Sequence, residues 1–393
     1  MSSQTDKLRI KLSSLVVFRP LLSDEIISAL CRFLESKSVS DYSEFVYKLY
    51  EANGGDLSAY IQDICVNSDN IYSKIVAKKK YLCNQLLAAL KNELEIFQEI
   101  ADLKPETLKS EIEWNGFLPD YIANHAEIGS RFFERVKNIS VSGYGVFSKY
   151  PMYYINDENS FVPVKNPDPI GYYDLFEYKE QKLAVYNNTM DLASGKPAAN
   201  LLLTGDAGTG KSSTVKAVCN CLFGLGIRVI EVRKNQLFLI PKVLDELSDN
   251  PLKFVIFIDD LSFTAIDDNF NALKAALEGS LAARSKNVVI YATSNRRHII
   301  KENFSDREGD DIHRNDTVQE IISLSARFGQ HIVFQKPDKN TYLSIVRSVA
   351  AQKGVKMPEE ELFAKAERFA LERGSRSARL ARQFVDAVCT KKI

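Results

Sequence analysis

The run Gly205-Asp206-Ala207-Gly208-Thr209-Gly210-Lys211-Ser212 has the spacing of a loop that wraps phosphate. Its glycines let backbone N–H groups curl around phosphate oxygens, and a helix starting at its end adds partial positive charge. Lys211 is spaced to reach the β- and γ-phosphates of a nucleoside triphosphate, and the Ser212 hydroxyl to ligate magnesium; Ser213 completes the candidate nucleotide-binding set. Downstream, Lys253-Phe254-Val255-Ile256-Phe257-Ile258-Asp259-Asp260 is an apolar run ending in two carboxylates. Asp259 is suited to hold magnesium through water, and Asp260 to orient or deprotonate an attacking water. Asn295, closing Tyr291-Ala292-Thr293-Ser294-Asn295, is a candidate to hold that water from the other side. Arg327 and Arg376 supply fixed cationic forks for the charge that spreads over a transferring phosphoryl group: Arg327 on a neighbouring subunit's nucleotide, Arg376 on its own, with Arg379 a competitor for the second role. The cofactors these residues imply are a nucleoside triphosphate and Mg2+.

Such residues work only if strands and helices hold them. Asn200–Thr204 reads as a buried strand before the loop, and Ser213–Phe223 as a helix after it. Apolar runs at Leu201–Leu203, Ile227–Val232, Phe254–Ile258, Val288–Tyr291 and Ile332–Phe334 alternate with helical segments, which predicts a parallel five-stranded sheet covered on both faces. The acidic strand is expected beside the phosphate-loop strand. From Asp338 to Thr390 the pattern predicts three helices, one capped by Asp338, one opened by Met357-Pro358-Glu359-Glu360 and one following Gly374. Residues from Leu15 to about Val136 are helical in period, whereas Ser140–Val164, with Tyr144-Gly145-Val146-Phe147, has the texture of short strands; Lys165-Asn166-Pro167-Asp168-Pro169 is a linker. The expected organisation is a helical N-terminal domain (1–139), a short-stranded segment and linker (140–169), an α/β nucleotide-binding core (170–336) and a helical lid (337–393).

Composition narrows the function classes. The 51 basic and 51 acidic residues balance, so no global field draws the chain to nucleic acid or anionic membrane. Six dispersed cysteines without a C-x-x-C pair read as reduced, and four scattered histidines do not suggest zinc. The start lacks signal-peptide character and no apolar run is long enough to span a bilayer, so a cytoplasmic protein without a membrane partner is expected. Lys78-Lys79-Lys80 reads as a solvated helix face, Arg296-Arg297-His298 as a nucleotide or intersubunit contact, and the acidic stretch 305–311 as a loop.

Taken in order, these elements resemble the AAA+ ATPases, and within them a bacterial family of predicted ATPases of unknown function. The likeness rests on Asn200–Ala217, Ile258-Asp259-Asp260-Leu261-Ser262-Phe263, Ala272–Gly279 and Ile290–His298. It implies an AAA+ type fold, phosphate-loop, acidic-strand, sensor and arginine-finger roles for Lys211, Asp259, Asp260, Asn295 and Arg327, and ring or partial-ring homo-oligomers. Asp260 stands where most AAA+ proteins carry Glu, as it does in this family; Ala326 stands where an acidic residue would precede the finger; and Leu175-Phe176-Glu177-Tyr178 lacks the Gly that tends to precede this Tyr. The leading expectation is Mg-dependent ATP hydrolysis coupled to conformational change or remodelling of an unidentified protein or nucleic-acid client. The alternative is a slowly hydrolysing ATP-regulated switch or binding module, favoured by Asp260 and Ala326. A small-molecule kinase is the third reading, disfavoured by the arginine-finger pattern.

Overall fold

The computed structural model describes residues 4–261, 273–274, 277, 286–295 and 326–390. It forms two compact units, Met1–Lys149 and Tyr150–Ile393. The sequence features at 296–298 and 305–311, and most of 272–279, lie outside the described residues.

The first unit is helical. Asp24, Ser38, Asp56 and Asn70 each cap a helix by accepting backbone N–H bonds, which stops the first turns from competing with water. Their apolar faces meet around Phe18, Phe33, Phe45, Phe97 and Phe132, with edge-to-face ring pairs such as Phe18–Phe97 and Phe18–Phe132. One carboxylate is buried inside this core. Glu93, on the helix Asn84–Ala101, is 2% exposed and accepts N–H bonds from Val16, Val17 and Phe18 at 2.8–3.0 Å. It thereby holds a non-helical turn that has no ladder partner of its own. Glu93→Ala leaves those donors without their acceptor and is expected to cost about 3 kcal/mol. Denaturant unfolding followed by Trp114, the chain's single tryptophan, reads this unit directly. Tyr144-Gly145-Val146-Phe147, whose texture suggested a strand, opens a 3-10 turn with Gly145 at φ 61.

The second unit is built on a seven-stranded sheet. Its strands are β1 (Met152–Ile155), β2 (Phe161–Pro163), β3 (Leu201–Gly205), β4 (Ile227–Glu231), β5 (Lys253–Ile258), β6 (Val288–Ser294) and β7 (Gln330–Phe334), in the order β2-β1-β4-β5-β6-β3-β7. The five expected parallel strands are β4, β5, β6, β3 and β7. Two more extend the β4 edge: β1 runs parallel to β4, and β2 antiparallel to β1. The expected neighbour relation is corrected here. β6 lies between the acidic strand β5 and the phosphate-loop strand β3, pairing Ile256 with Ile290 on one side and Leu202 with Ala292 on the other. β3, β5 and β6 are almost wholly buried, in keeping with apolar runs that do not alternate.

After β7 come three helices, Lys339–Gln352, Glu359–Glu372 and Ala378–Cys389, which share an apolar cluster including Tyr342, Val346, Phe369 and Phe384. Asp338 caps the first through the Thr341 N–H at 2.7 Å, and Ser377 the third through that of Leu380. Among the described residues no helix is long and apolar enough to cross a membrane.

Candidate functional site

A cleft of about 450 Å3 opens where the carboxyl ends of β3, β5 and β6 meet the helix Lys211–Leu222 and the C-terminal helices. Ala207 to Thr214 line one wall, Asp259, Asp260, Thr293 and Asn295 the floor, and Leu175–Tyr178 with Lys182, Ile345, Ala378, Arg379 and Arg382 the rest. Gly205 ends β3 at φ 140, and a side chain there would come within 1.9 Å of the Phe334 carbonyl, so only glycine lets the loop leave the sheet beside β7. Gly208 is likewise left-handed, φ 77, and lies against Ser377 and Arg379.

Five of the expected residues form one connected array. Lys211 Nζ donates to the carbonyls of Gly205 and Asp206 at 2.8 and 2.9 Å, and to Asn295 Oδ1 at 2.9 Å. Asn295 Nδ2 in turn donates to Asp260 Oδ1 at 2.7 Å. Ser212 Oγ donates to Asp259 Oδ1 at 2.6 Å. Burial pushes the Lys211 ammonium below its ordinary value, while Asp206, Asp259 and Asp260 pull it back up and Arg379 adds to the lowering. The Ser212 hydroxyl and the Asp259 carboxylate are hard oxygen donors within reach of one another, a donor set that suits a magnesium ion.

Asp260 sits in the left-handed region at φ 53. What holds it there was missed by the sequence reading. Thr293, buried in β6, donates from Oγ1 to Asp259 Oδ1 at 2.6 Å and accepts the Asp260 N–H at 3.0 Å. Its carbonyl accepts the Leu261 N–H at 2.6 Å. The signal was present, since a hydroxyl interrupts an apolar strand two residues before Asn295.

The two expected arginines are not brought into this array. Arg376 forms a fork with Glu367, Nε to Oε1 at 3.0 Å and Nη2 to Oε2 at 2.9 Å, and does not line the cleft. Arg379 does line it, and its backbone N–H bonds the Gly208 carbonyl at 3.2 Å. Arg327 stands just before β7, half-buried and away from the cleft lining. The loop at Glu177-Tyr178 carries two successive left-handed residues, φ 60 and 51. A glycine at 177 would adopt that backbone without strain; here the Glu177 carboxylate accepts from Ser344 Oγ at 2.5 Å, and Tyr178 OH donates to the Gln335 carbonyl at 2.7 Å.

Residues 148–392 match the family described as "Protein of unknown function (DUF815)". No curated protein matches the chain. Among solved structures, it is similar to the Thermotoga maritima RuvB Holliday junction branch migration motor, at 16% identity over 56% of this chain and 65% of that one, with a TM-score of 0.38. A second similar structure is the FIGL-1 AAA domain in complex with ADP, at 17% identity over 56% of this chain and 72% of that one, TM-score 0.37. The chain thus spans just under two thirds of the length of the RuvB structure it matches.

Proposed function

The chain belongs to the DUF815 family, and on that premise we propose that it has an AAA+ type phosphate-loop fold and is a magnesium-dependent ATPase whose hydrolysis drives conformational change in homo-oligomers acting on a client. The observation that carries this reading is the array Lys211–Asn295–Asp260 beside Ser212–Asp259, which puts a cation, a polar amide and two carboxylates at the mouth of a phosphate-wrapping loop. When bound there, magnesium supplies charge neutralisation at the phosphates; Ser212 and Asp259 would hold it. Lys211 takes the β- and γ-phosphate charge. Asp260 accepts the proton of the attacking water while Asn295 fixes that water's position. Little covalent help is needed, because positioning and charge stabilisation carry phosphoryl transfer.

Arg379, rather than Arg376, is assigned the arginine role on the chain's own nucleotide, since the Glu367 fork already engages Arg376. Arg327 is assigned to the nucleotide of a neighbouring copy. Phosphate release per subunit should therefore climb with protein concentration and collapse in Arg327→Ala. A low rate, flat with concentration and indifferent to Arg327, would favour the ATP-regulated switch, a reading supported by the engaged, left-handed Asp260.

Thr293 is assigned a positioning role. Thr293→Val keeps the shape and removes the hydroxyl that joins Asp259 to Asp260. We expect kcat to fall about 10–100-fold with KM for ATP changed much less, because the hydroxyl holds Asp260 beside the attacking water and the Asp259 carboxylate assigned to magnesium, and touches no phosphate-binding group. Thr293→Ser should restore most of the loss; steady-state phosphate release reads both.

A further inference from the structure

The first unit carries two exposed loops of opposite charge, each with bare aromatic rings. Lys78-Lys79-Lys80-Tyr81 joins the helix Ile71–Ala77 to the helix Asn84–Ala101. Lys79 is left-handed at φ 51 and Tyr81 is 86% exposed, so these lysines ride on a loop and not on the solvated helix face expected of them. The second loop, Glu113-Trp114-Asn115-Gly116-Phe117, protrudes between the buried Ile112 and Leu118, with Trp114 55% and Phe117 89% exposed. Acidic groups surround it: Glu106, Glu113 and Asp120 are all exposed. Tyr42 senses two of them, its phenol being raised first by burial and then by Asp120 and Glu106 among its neighbours. Lys109 pairs with Asp120 and offsets part of this charge.

The loops lie at opposite ends of one helix. Cys83, following the basic loop, stands just before the start of Asn84–Ala101. The chain that follows the acidic loop meets the other end, where Tyr121 OH donates to the Leu103 carbonyl at 3.0 Å. Its 18 residues, at roughly 1.5 Å each, separate the ends by about 27 Å. That is about three Debye lengths at physiological salt, so Lys79 and Lys80 feel little of the acidic loop's field within one copy.

We propose that the basic loop of one copy docks on the acidic, aromatic loop of the next, a head-to-tail contact between first units. Lysines over Trp114 gain cation–π attraction, and Tyr81 and Phe117 lose exposed apolar surface. Because the two patches differ, the contact is heterologous: it propagates into a ring or an open chain instead of closing on a pair. A nucleic-acid partner would use the lysines alone and leave Trp114 and Phe117 bare. The balanced charge of the chain also gives it no long-range pull.

The test uses the full chain without nucleotide, sedimented over a range of concentrations at about 0.1 M and about 1 M salt, where the Debye length falls from roughly 10 to 3 Å. Self-association should weaken about tenfold or more at high salt. The emission of Trp114, the chain's only tryptophan, should shift to the blue as assemblies form. Lys79→Glu with Lys80→Glu, and separately Glu106→Lys with Glu113→Lys, should each weaken association about tenfold, since like charges then face each other. An equimolar mixture of the two variants should recover it, because each reversed loop now meets its complement. The proposal is overturned by a wild-type chain that stays monomeric with unshifted emission, by variants without effect, or by a mixture that fails to recover. It is equally overturned if the lysine variant loses binding to a labelled DNA duplex while its self-association stays intact.

Discussion

Lys211→Ala is expected to remove nucleotide binding and to lower kcat/KM for ATP by at least about 10^3-fold. The ammonium lines the cleft and already sits among the groups the phosphates must join, bonded to Gly205, Asp206 and Asn295. Losing a preorganised donor at developing charge costs about 10^2–10^3 in rate, and a cation that also anchors two phosphates adds a binding loss. Thermal unfolding offers a readout that does not depend on turnover. At about 100 times Kd a ligand adds roughly 2.7 kcal/mol, which for a unit of this size raises Tm by several degrees. That rise should be present with ATP in the wild type and absent in Lys211→Ala. A normal rise in the variant would overturn the phosphate-loop assignment. The pH dependence has a definite sign. Burial lowers the free-state pKa of Lys211, and bound phosphate raises it, so binding takes up a proton once the free amine is neutral. Affinity should therefore fall as pH climbs above the free-state value, which the ATP-induced rise in Tm of the wild type, followed against pH, reads directly.

What could be read from the chain was what neighbouring residues encode together. The loop 205–212, the strands β3 and β5, and three C-terminal helices opened near Asp338, Glu359 and past Gly374 are contiguous patterns of apolarity, glycine and capping residues. The order of strands across the sheet is set by crossovers between distant segments. The placing of β6 between β5 and β3 therefore left no local trace, and the two extra edge strands were read as a separate segment. Thr293 escaped for the same reason: its partners Asp259 and Asp260 come from a strand more than thirty residues earlier. The arginines show a subtler limit. Arg376 and Arg379 lie three residues apart around Ser377, whose side chain caps the helix that follows. Arg379 falls in the first turn against Gly208, whereas Arg376 lies outside the cap and is taken by Glu367. Which arginine faces the cleft depends on where the helix starts, to within one residue.

The second large effect is expected at Asp260. Asp260→Asn should lower kcat by about 10^2–10^3-fold while leaving ATP affinity within a few-fold of wild type, since general-base assistance is removed and the phosphate-binding groups are untouched. Asparagine is the fitting replacement because the position is left-handed at φ 53, a region that Asn and Asp tolerate better than longer side chains. It also keeps an oxygen for the Asn295 Nδ2 donor, now at 2.7 Å. The same geometry explains how a shorter carboxylate can stand where most AAA+ proteins have Glu: a backbone bent into the left-handed region and pinned by Thr293 aims Asp260 at Asn295, so reach is supplied by the main chain. Asp260→Glu then separates two causes of activity. If side-chain reach limits turnover, the longer acid raises kcat. If the pinned backbone aims the acid, the added methylene misplaces it, and kcat falls about tenfold or more with binding unchanged. The hydrogen bonds favour the second outcome, and single-turnover phosphate release beside equilibrium nucleotide binding distinguishes them. A kcat in Asp260→Asn equal to wild type would remove this carboxylate from the chemistry and leave the nucleotide switch as the better account of the site.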